Sequence, residues 1–175
     1  VFKIVQVGRL EHHKKGHDLL ITACASLVRQ GIHNFHVDFI GEGNSQAYLE
    51  ELVVKNKLEP YITFLGNKDT VYIETHLKDY HLLVQPSRIE GFGLTVAEAM
   101  AARVPVLVSG QEGPMEIIAD GRYGYHFKNE DVEDLVCKIR FIMNMETNEL
   151  NELTEKAYLR IQACYDIRKT AMKYL

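Results

Sequence analysis

The sequence predicts an α/β fold: an open, doubly wound, Rossmann-like parallel sheet with strand order 3-2-1-4-5-6 and C-terminal helices. Short β-branched runs alternate with amphipathic helical runs along the chain, the pattern of a parallel sheet covered on both faces. Several of these runs are almost continuously apolar, as strands buried on both sides must be. Right-handed crossovers then leave few topologies. The chain has 175 residues, 46% of them hydrophobic and 25% charged, enough to build one domain with its own core and too apolar for a disordered segment.

Each element has its own signal. Phe2–Val7 is rich in β-branched residues and closes on Gly8, a strand. His17–Gln30 places Leu19, Leu20, Ala23, Leu27 and Val28 at helical spacing and stops at Gly31. Phe35–Ile40 is the second strand, closed by Gly41, and Gln46–Lys57 is a helix with Leu49, Leu52 and Val53 on one side. Ile62–Leu65 is a strand before Gly66, Val71–Lys78 a short helix, and His81–Gln85 a strand stopped by Pro86. Leu94–Ala102 reads as a helix and Val104–Val108 as a strand. Pro114–Ala119 is a short helix opened by proline, and Tyr125–Phe127 a weak strand. Val132–Met145 and Leu150–Leu175 are helical, with a break near Thr147, and the acids of Asn129–Asp134 suit the start of the first of these helices.

Composition excludes several classes. Twenty basic against 24 acidic residues leave a net charge of −4, which argues against general nucleic-acid binding but allows a local cationic site. Cys24, Cys137 and Cys164 are odd in number and form no CxxC pair. They fit a reduced, cytoplasmic chain, give no zinc site, and are expected to pack as small hydrophobes. No clear Asp-x-Asp or His cluster has metal-ligand spacing. No apolar run approaches the ~18–20 residues that span a bilayer. The start at Val1, without Met and directly in a strand, suggests excision from a longer polypeptide.

In such a sheet ligands bind beyond the carboxyl ends of the strands, where strand order reverses. That crevice lies between the first and fourth strands, so the loops after Val7 and Gln85 should face one another. The first loop, Gly8 to Gly16, is neither GxGxxG nor a Walker A loop. It offers the cations Arg9 and Lys15 between glycines, suited to phosphate; a solvated basic loop is the plain alternative. In the second loop Gly91 and Gly93 let backbone approach a ligand and lead into a helix N-terminus, a phosphate cradle. Glu98, about a turn into that helix, can accept hydrogen bonds from ribose hydroxyls, or serve only as a helix-start acid. Glu90 would otherwise be an exposed loop acid. His12 and His13 are expected to be solvent-exposed.

At these residues the sequence resembles the C-terminal, donor-binding domain of the group 1, family 4 nucleotide-sugar glycosyltransferases. Glu90 and Glu98, within EGFGLTVAEAMA, meet the family's E-x7-E pattern. Gly8-Arg9-Leu10 and Lys15-Gly16 match its opening motif. Gly41–Gly43, Phe64–Gly66, Pro105–Ser109, Gly113, Glu116 and Asp120-Gly121 match in order, so the likeness covers roughly the whole chain.

The resemblance implies one half of a GT-B fold. Residues 1–175 would be a single nucleotide-sugar-binding domain, with the acceptor-binding N-terminal domain outside them and the last helix crossing back onto it. Arg9 and Lys15 would hold the diphosphate and stabilise the departing nucleotide, alongside backbone at Gly8, Gly91, Phe92, Gly93, Leu94 and Thr95. Glu98 would bind ribose, Glu90 would face the transferred sugar, and Leu65 and Asn67 would line the base. The implied activity is a retaining, hexosyltransferase-type sugar transfer without metal or cofactor. The sugar donor would be a UDP-sugar first and a GDP-sugar next. The acceptor would be a glycan or a lipid, in surface polysaccharide or glycolipid assembly, in the cytoplasm or at the inner membrane face. This domain alone would turn over poorly. A GT-B nucleotide-sugar epimerase and a non-catalytic nucleotide-binding module are the alternatives. Two departures stand out. Arg103 replaces a small residue and is expected to point to solvent. An extra residue before Lys15-Gly16 makes Lys14 a rival phosphate contact. Tyr158, Ile161, Tyr165, Met172 and Tyr174 on the last helix are expected to form packing surface.

Overall fold

The computed structural model describes residues 1–164. The elements run β1 (Phe2–Val7), α1 (His12–Lys15), α2 (His17–Arg29), β2 (Phe35–Ile40), α3 (Gln46–Lys55), β3 (Ile62–Gly66), α4 (Thr70–His76), a 3-10 turn (Leu77–Asp79) and β4 (Leu82–Gln85). They continue through α5 (Leu94–Ala101), β5 (Val106–Ser109), α6 (Glu112–Ile117), β6 (Tyr125–Phe127), α7 (Val132–Met143) and α8 (Thr147–Cys164). The six strands form one sheet in the predicted order β3-β2-β1-β4-β5-β6, and every pairing is parallel.

Strand periodicity divides the core in two. Ile4, Val37 and Phe39 face one side and pack with Leu20 and Leu27 of α2, Leu49 of α3, and Leu135 and Ile139 of α7. Val5, Leu83 and Val108 face the other and pack with Val96 and Met100 of α5, Ile117 of α6, and Ala157 and Ile161 of α8. Each buried Val, Leu, Ile, Phe or Met side chain among them contributes roughly 1.5–3 kcal/mol of burial. Both faces must be covered for the sheet to persist, which is what doubly wound means physically. Since β1 pairs directly with β4 through Ile4–Leu82 and Val5–Leu83, the loops that follow these two strands meet.

The structure changes several local expectations. The first loop contains a single helical turn, α1, closed by Gly16 in the left-handed region at φ 67°. A Cβ at Gly16 would run into the Pro86 carbonyl, so this glycine also brings the two site loops together. The break near Thr147 is real: α7 ends at Met143, and α8 opens at Thr147, before Leu150. The remainder of the expected Leu150–Leu175 helix, with Tyr165, Met172 and Tyr174, lies outside the described residues. Asp131 caps α7 by accepting from the Asp134 amide, as the acidic run anticipates.

Cys24 is buried as expected, but Cys137 and Cys164 are exposed, because they lie on the outer faces of α7 and α8. Arg103 does not simply face water. Held at φ 57°, it donates to Glu155 at 2.6 Å and lies 3.6 Å from the Tyr158 ring centroid. This ties the turn after α5 to α8. No described helix is long and apolar enough to cross a membrane.

Candidate functional site

Two adjoining clefts open over the carboxyl ends of the strands. One, about 370 Å³, lies between the loops after β1 and β4 and is lined by Gly8, Arg9, Lys15, Gln85, Glu90 and residues 91–95. Its neighbour, about 330 Å³, lies over β1–β3 and is lined by Arg9, Gly41, Glu42, Asn67, Lys68 and Ile73. Val7, Gly8 and Arg9 belong to both, so the clefts form one trough along the switch in strand order. A larger hollow of about 470 Å³ between α7 and α8 holds none of the candidate residues.

Glu90 is held in the trough by three side-chain hydrogen bonds. Its Oε2 accepts from Lys15 Nζ at 2.7 Å, Gln85 Nε2 at 2.9 Å and Ser87 Oγ at 3.2 Å. Burial pushes the carboxyl up, but these three partners and the charge of Lys15 outweigh it and hold Glu90 below the ordinary carboxylate range. Glu90 is therefore an anion at neutral pH, pointing at a cation across the cleft.

Backbone fixes this pair. Gln6 Nε2 donates to the Lys15 carbonyl at 2.8 Å. The Lys14 carbonyl accepts from the amides of Arg88 at 2.8 Å and Ile89 at 3.1 Å. Lys14 itself turns outward, 60% exposed and 3.4 Å from Glu11. Of the two lysines, only Lys15 lines the trough. Arg9 is 80% exposed, with Glu11 at 3.6 Å, so its planar fork remains accessible to phosphate.

Gly93, at φ 87°, is the N-cap of α5. The first amides of that helix have no partner within it and lie beside the cleft at Leu94 and Thr95. Gly113, opening α6, leaves no room for a Cβ against the Gly91 carbonyl, so α6 supports this loop from behind. Ile89, Phe92 and Leu94 give the cleft mouth an exposed apolar rim.

Glu98 sits about one turn into α5, half-buried and outside the lining of both clefts. Burial and the nearby Glu74 charge push its carboxyl above the ordinary value. Asn67 lines the second cleft, whereas Leu65 packs against the core on the α5 side. His12 is not a free loop histidine: it hydrogen-bonds Ser45 Oγ at 2.8 Å and stacks on Tyr48, while His13 is exposed. Among the described residues no group of three or more His, Cys, Asp or Glu is placed to hold a metal ion.

Sequence reasoning did not single out Gln85, Ser87, Glu42, Lys68 or Arg88. Gln85 and Ser87 are nearly inaccessible polar residues at the end of an apolar strand, a signal that was available in the sequence.

Comparison with known proteins bears on the family and the fold. The sequence pattern described as "Glycosyl transferases group 1" matches residues 2–160. An uncharacterized glycosyltransferase of Methanocaldococcus jannaschii is 35% identical over 133 residues, 76% of this chain and 36% of that protein. Protein CapJ of Staphylococcus aureus is 30% identical over 156 residues, 88% of this chain and 39% of that protein. The chain thus spans well under half the length of these curated relatives. Among solved structures, a mutant of S. aureus TarM in complex with Fondaparinux, alpha-GlcNAc-glycerol and UDP superposes with a TM-score of 0.87 at 26% identity, over 98% of this chain and 34% of that one. The C-terminal domain of a group 1 glycosyl transferase (LpcC) from Francisella tularensis shares the fold at a TM-score of 0.82 and 24% identity, over 95% of this chain and 87% of that one.

Proposed function

The chain belongs to the group 1 glycosyltransferases, and from that premise we propose that it is the donor-binding domain of a retaining enzyme. That enzyme transfers a hexosyl unit from a nucleotide-diphosphate sugar, a UDP-sugar first, to a glycan or lipid-linked acceptor. The observation that carries this reading is the Lys15–Glu90 pair at 2.7 Å, set beside the exposed Arg9 and the N-terminus of α5.

In this reading the diphosphate lies over Gly8 and residues 91–95, where the α5 amides and dipole meet its charge. As the sugar leaves, negative charge builds on the outer phosphate. Lys15 and Arg9 are already in place to stabilise it, without reorganisation at the moment of reaction. Lys15 has three N–H donors, so one can stay on Glu90 while another reaches phosphate oxygen. Glu90, held anionic, faces the sugar. Glu98 takes the ribose hydroxyls, and Asn67 borders the base. The acceptor side of the active site comes from the N-terminal domain. The reaction belongs in the cytoplasm, at the inner membrane face when the acceptor is lipid-linked. The S. aureus structure, recorded with UDP and a glycan, supports the choice of ligand class.

A thermal-shift panel of UDP, GDP and ADP with their sugars tests the ligand. UDP at ~100 times its Kd should stabilise the domain by about 2.7 kcal/mol. No shift with any of the nucleotides would refute the reading. Product analysis on the full-length protein separates sugar transfer from epimerised nucleotide sugar.

A further inference from the structure

We propose that Arg88 and Asp18 form a positioning strut that holds Lys15 in register with Glu90 without either residue touching the sugar nucleotide. The inference rests on the donor-site reading above and names what sets the geometry of that site.

Lys15 ends α1, which has four residues, no buried side chain and no side-chain N-cap. A single turn of this kind has no stability of its own in water. Its placement must come from outside, and much of it comes from position 88. The Arg88 amide donates to the Lys14 carbonyl, and Arg88 Nη1 donates to the His12 carbonyl at 2.8 Å. A cation here also suits the negative end of the turn.

The guanidinium is fixed in turn by α2. Nη1 and Nη2 grip the two oxygens of Asp18 at 2.8 and 2.9 Å, the bidentate geometry in which Arg binds carboxylate best. Both side chains are only about one-fifth exposed, so water screens this pair weakly. Nε reaches Glu130 at 2.7 Å. Four of the five N–H donors of Arg88 are therefore engaged within the protein. Its fork is closed on Asp18 and not open to a phosphate, in contrast to Arg9. Asp18 is kept ionised: burial pushes its carboxyl up, but Arg88 pulls it below the ordinary range.

The consequence is geometric. Arg88 lies two residues before Glu90 and joins the turn that carries Lys15, so one residue couples both halves of the reacting pair. Loosening it lets α1 and the loop after β4 drift apart. A displacement near 1 Å at such a site can cost about 100-fold in rate.

The test uses the full-length protein with Arg88→Gln, Asp18→Asn, the double variant, Arg88→Lys, and Arg103→Gln as a remote ion-pair control. Each single variant should lower kcat about 10- to 100-fold while changing the Kd for UDP by less than about threefold, because Arg9 and α5 remain. The double variant should be no worse than the poorer single, since both remove one strut. Arg88→Lys keeps the charge and loses the fork, so kcat should recover only in part. Arg103→Gln should leave kcat within about twofold. Unchanged kcat in Arg88→Lys and the singles overturns the strut, as do losses that multiply in the double. A loss confined to UDP binding makes Arg88 a ligand contact and equally overturns it. A wild-type protein that neither binds UDP nor transfers sugar brings down the donor-site reading, and the strut with it.

Discussion

Glu90 and Glu98 are the same residue type, eight positions apart, and both half-buried, yet they occupy opposite electrostatic settings. Glu90 ends a loop gripped by Lys15, Gln85 and Ser87, which together hold it below the ordinary carboxylate range. Glu98 lies inside α5, where burial and Glu74 push it up. Among the described residues no cation lies within ion-pair distance of Glu98. The sequence spacing pairs these acids, but their neighbours give them different work. One is an anion held beside a cation, where the proposed reading places the developing charge. The other is a half-buried carboxylate, which in the proposed reading accepts from ribose hydroxyls.

This contrast breaks most visibly in turnover. Glu90→Gln in the full-length protein should lower sugar transfer by roughly 10²–10³, the scale for losing one preorganised polar group at a reacting centre. Assays at saturating sugar nucleotide check this, and near-normal transfer would remove Glu90 from the chemistry.

Acid stability sharpens the contrast once His17 is accounted for. His17 is fully buried against Phe39, and burial lowers its pKa from 6.5 to about 4. Between these values the unfolded chain binds the extra proton, so stability is complete above pH 6.5 and falls as pH drops toward 4. The interval corresponds to roughly 3 kcal/mol. His17→Phe should flatten this loss in denaturant titrations across that range. An unchanged pH profile would show that His17 is hydrated.

On that background the two glutamates should tilt stability in opposite senses. Glu90, depressed, adds stability above its unfolded pKa, which is lost as pH falls through its folded value. Glu98, raised, adds stability in acid, which is lost as pH rises through its folded value. At neutral pH Glu90→Gln should therefore lower the melting temperature, and Glu98→Gln should leave it level or raise it. Calorimetric scans at pH 7 check the sign, and the same sign for both would erase the distinction.

Most of the architecture was legible in the sequence, because buried parallel strands must be apolar and the glycines after Val7, Ile40 and Leu65 mark their ends. The crevice followed from topology alone. Helix α1 was not legible: HHKK has no apolar period, and its turn is held by carbonyl contacts to Arg88 and Ile89 more than 70 positions away. The Lys15–Glu90 pair crosses 75 positions and could be placed near one cleft but not into contact. Leu65 and Asn67 were paired as base-lining residues, yet alternation within β3 turns Leu65 toward the core, while Asn67, beyond the end of β3, lines the second cleft. Arg103 is exposed as expected, but its Glu155 and Tyr158 partners, and the exposure of the outer cysteines, were not legible for a similar reason: they are set by how α7 and α8 fold back on the sheet.

The most direct measurement is a calorimetric titration of UDP into wild type, Glu90→Gln and Glu98→Gln. Loss of a charged acceptor to the ribose should weaken binding to Glu98→Gln about tenfold, near 1.4 kcal/mol. Glu90→Gln should bind within about twofold of wild type. The reverse pattern, with Glu90→Gln weakened and Glu98→Gln unaffected, would contradict the assignment of the two carboxylates.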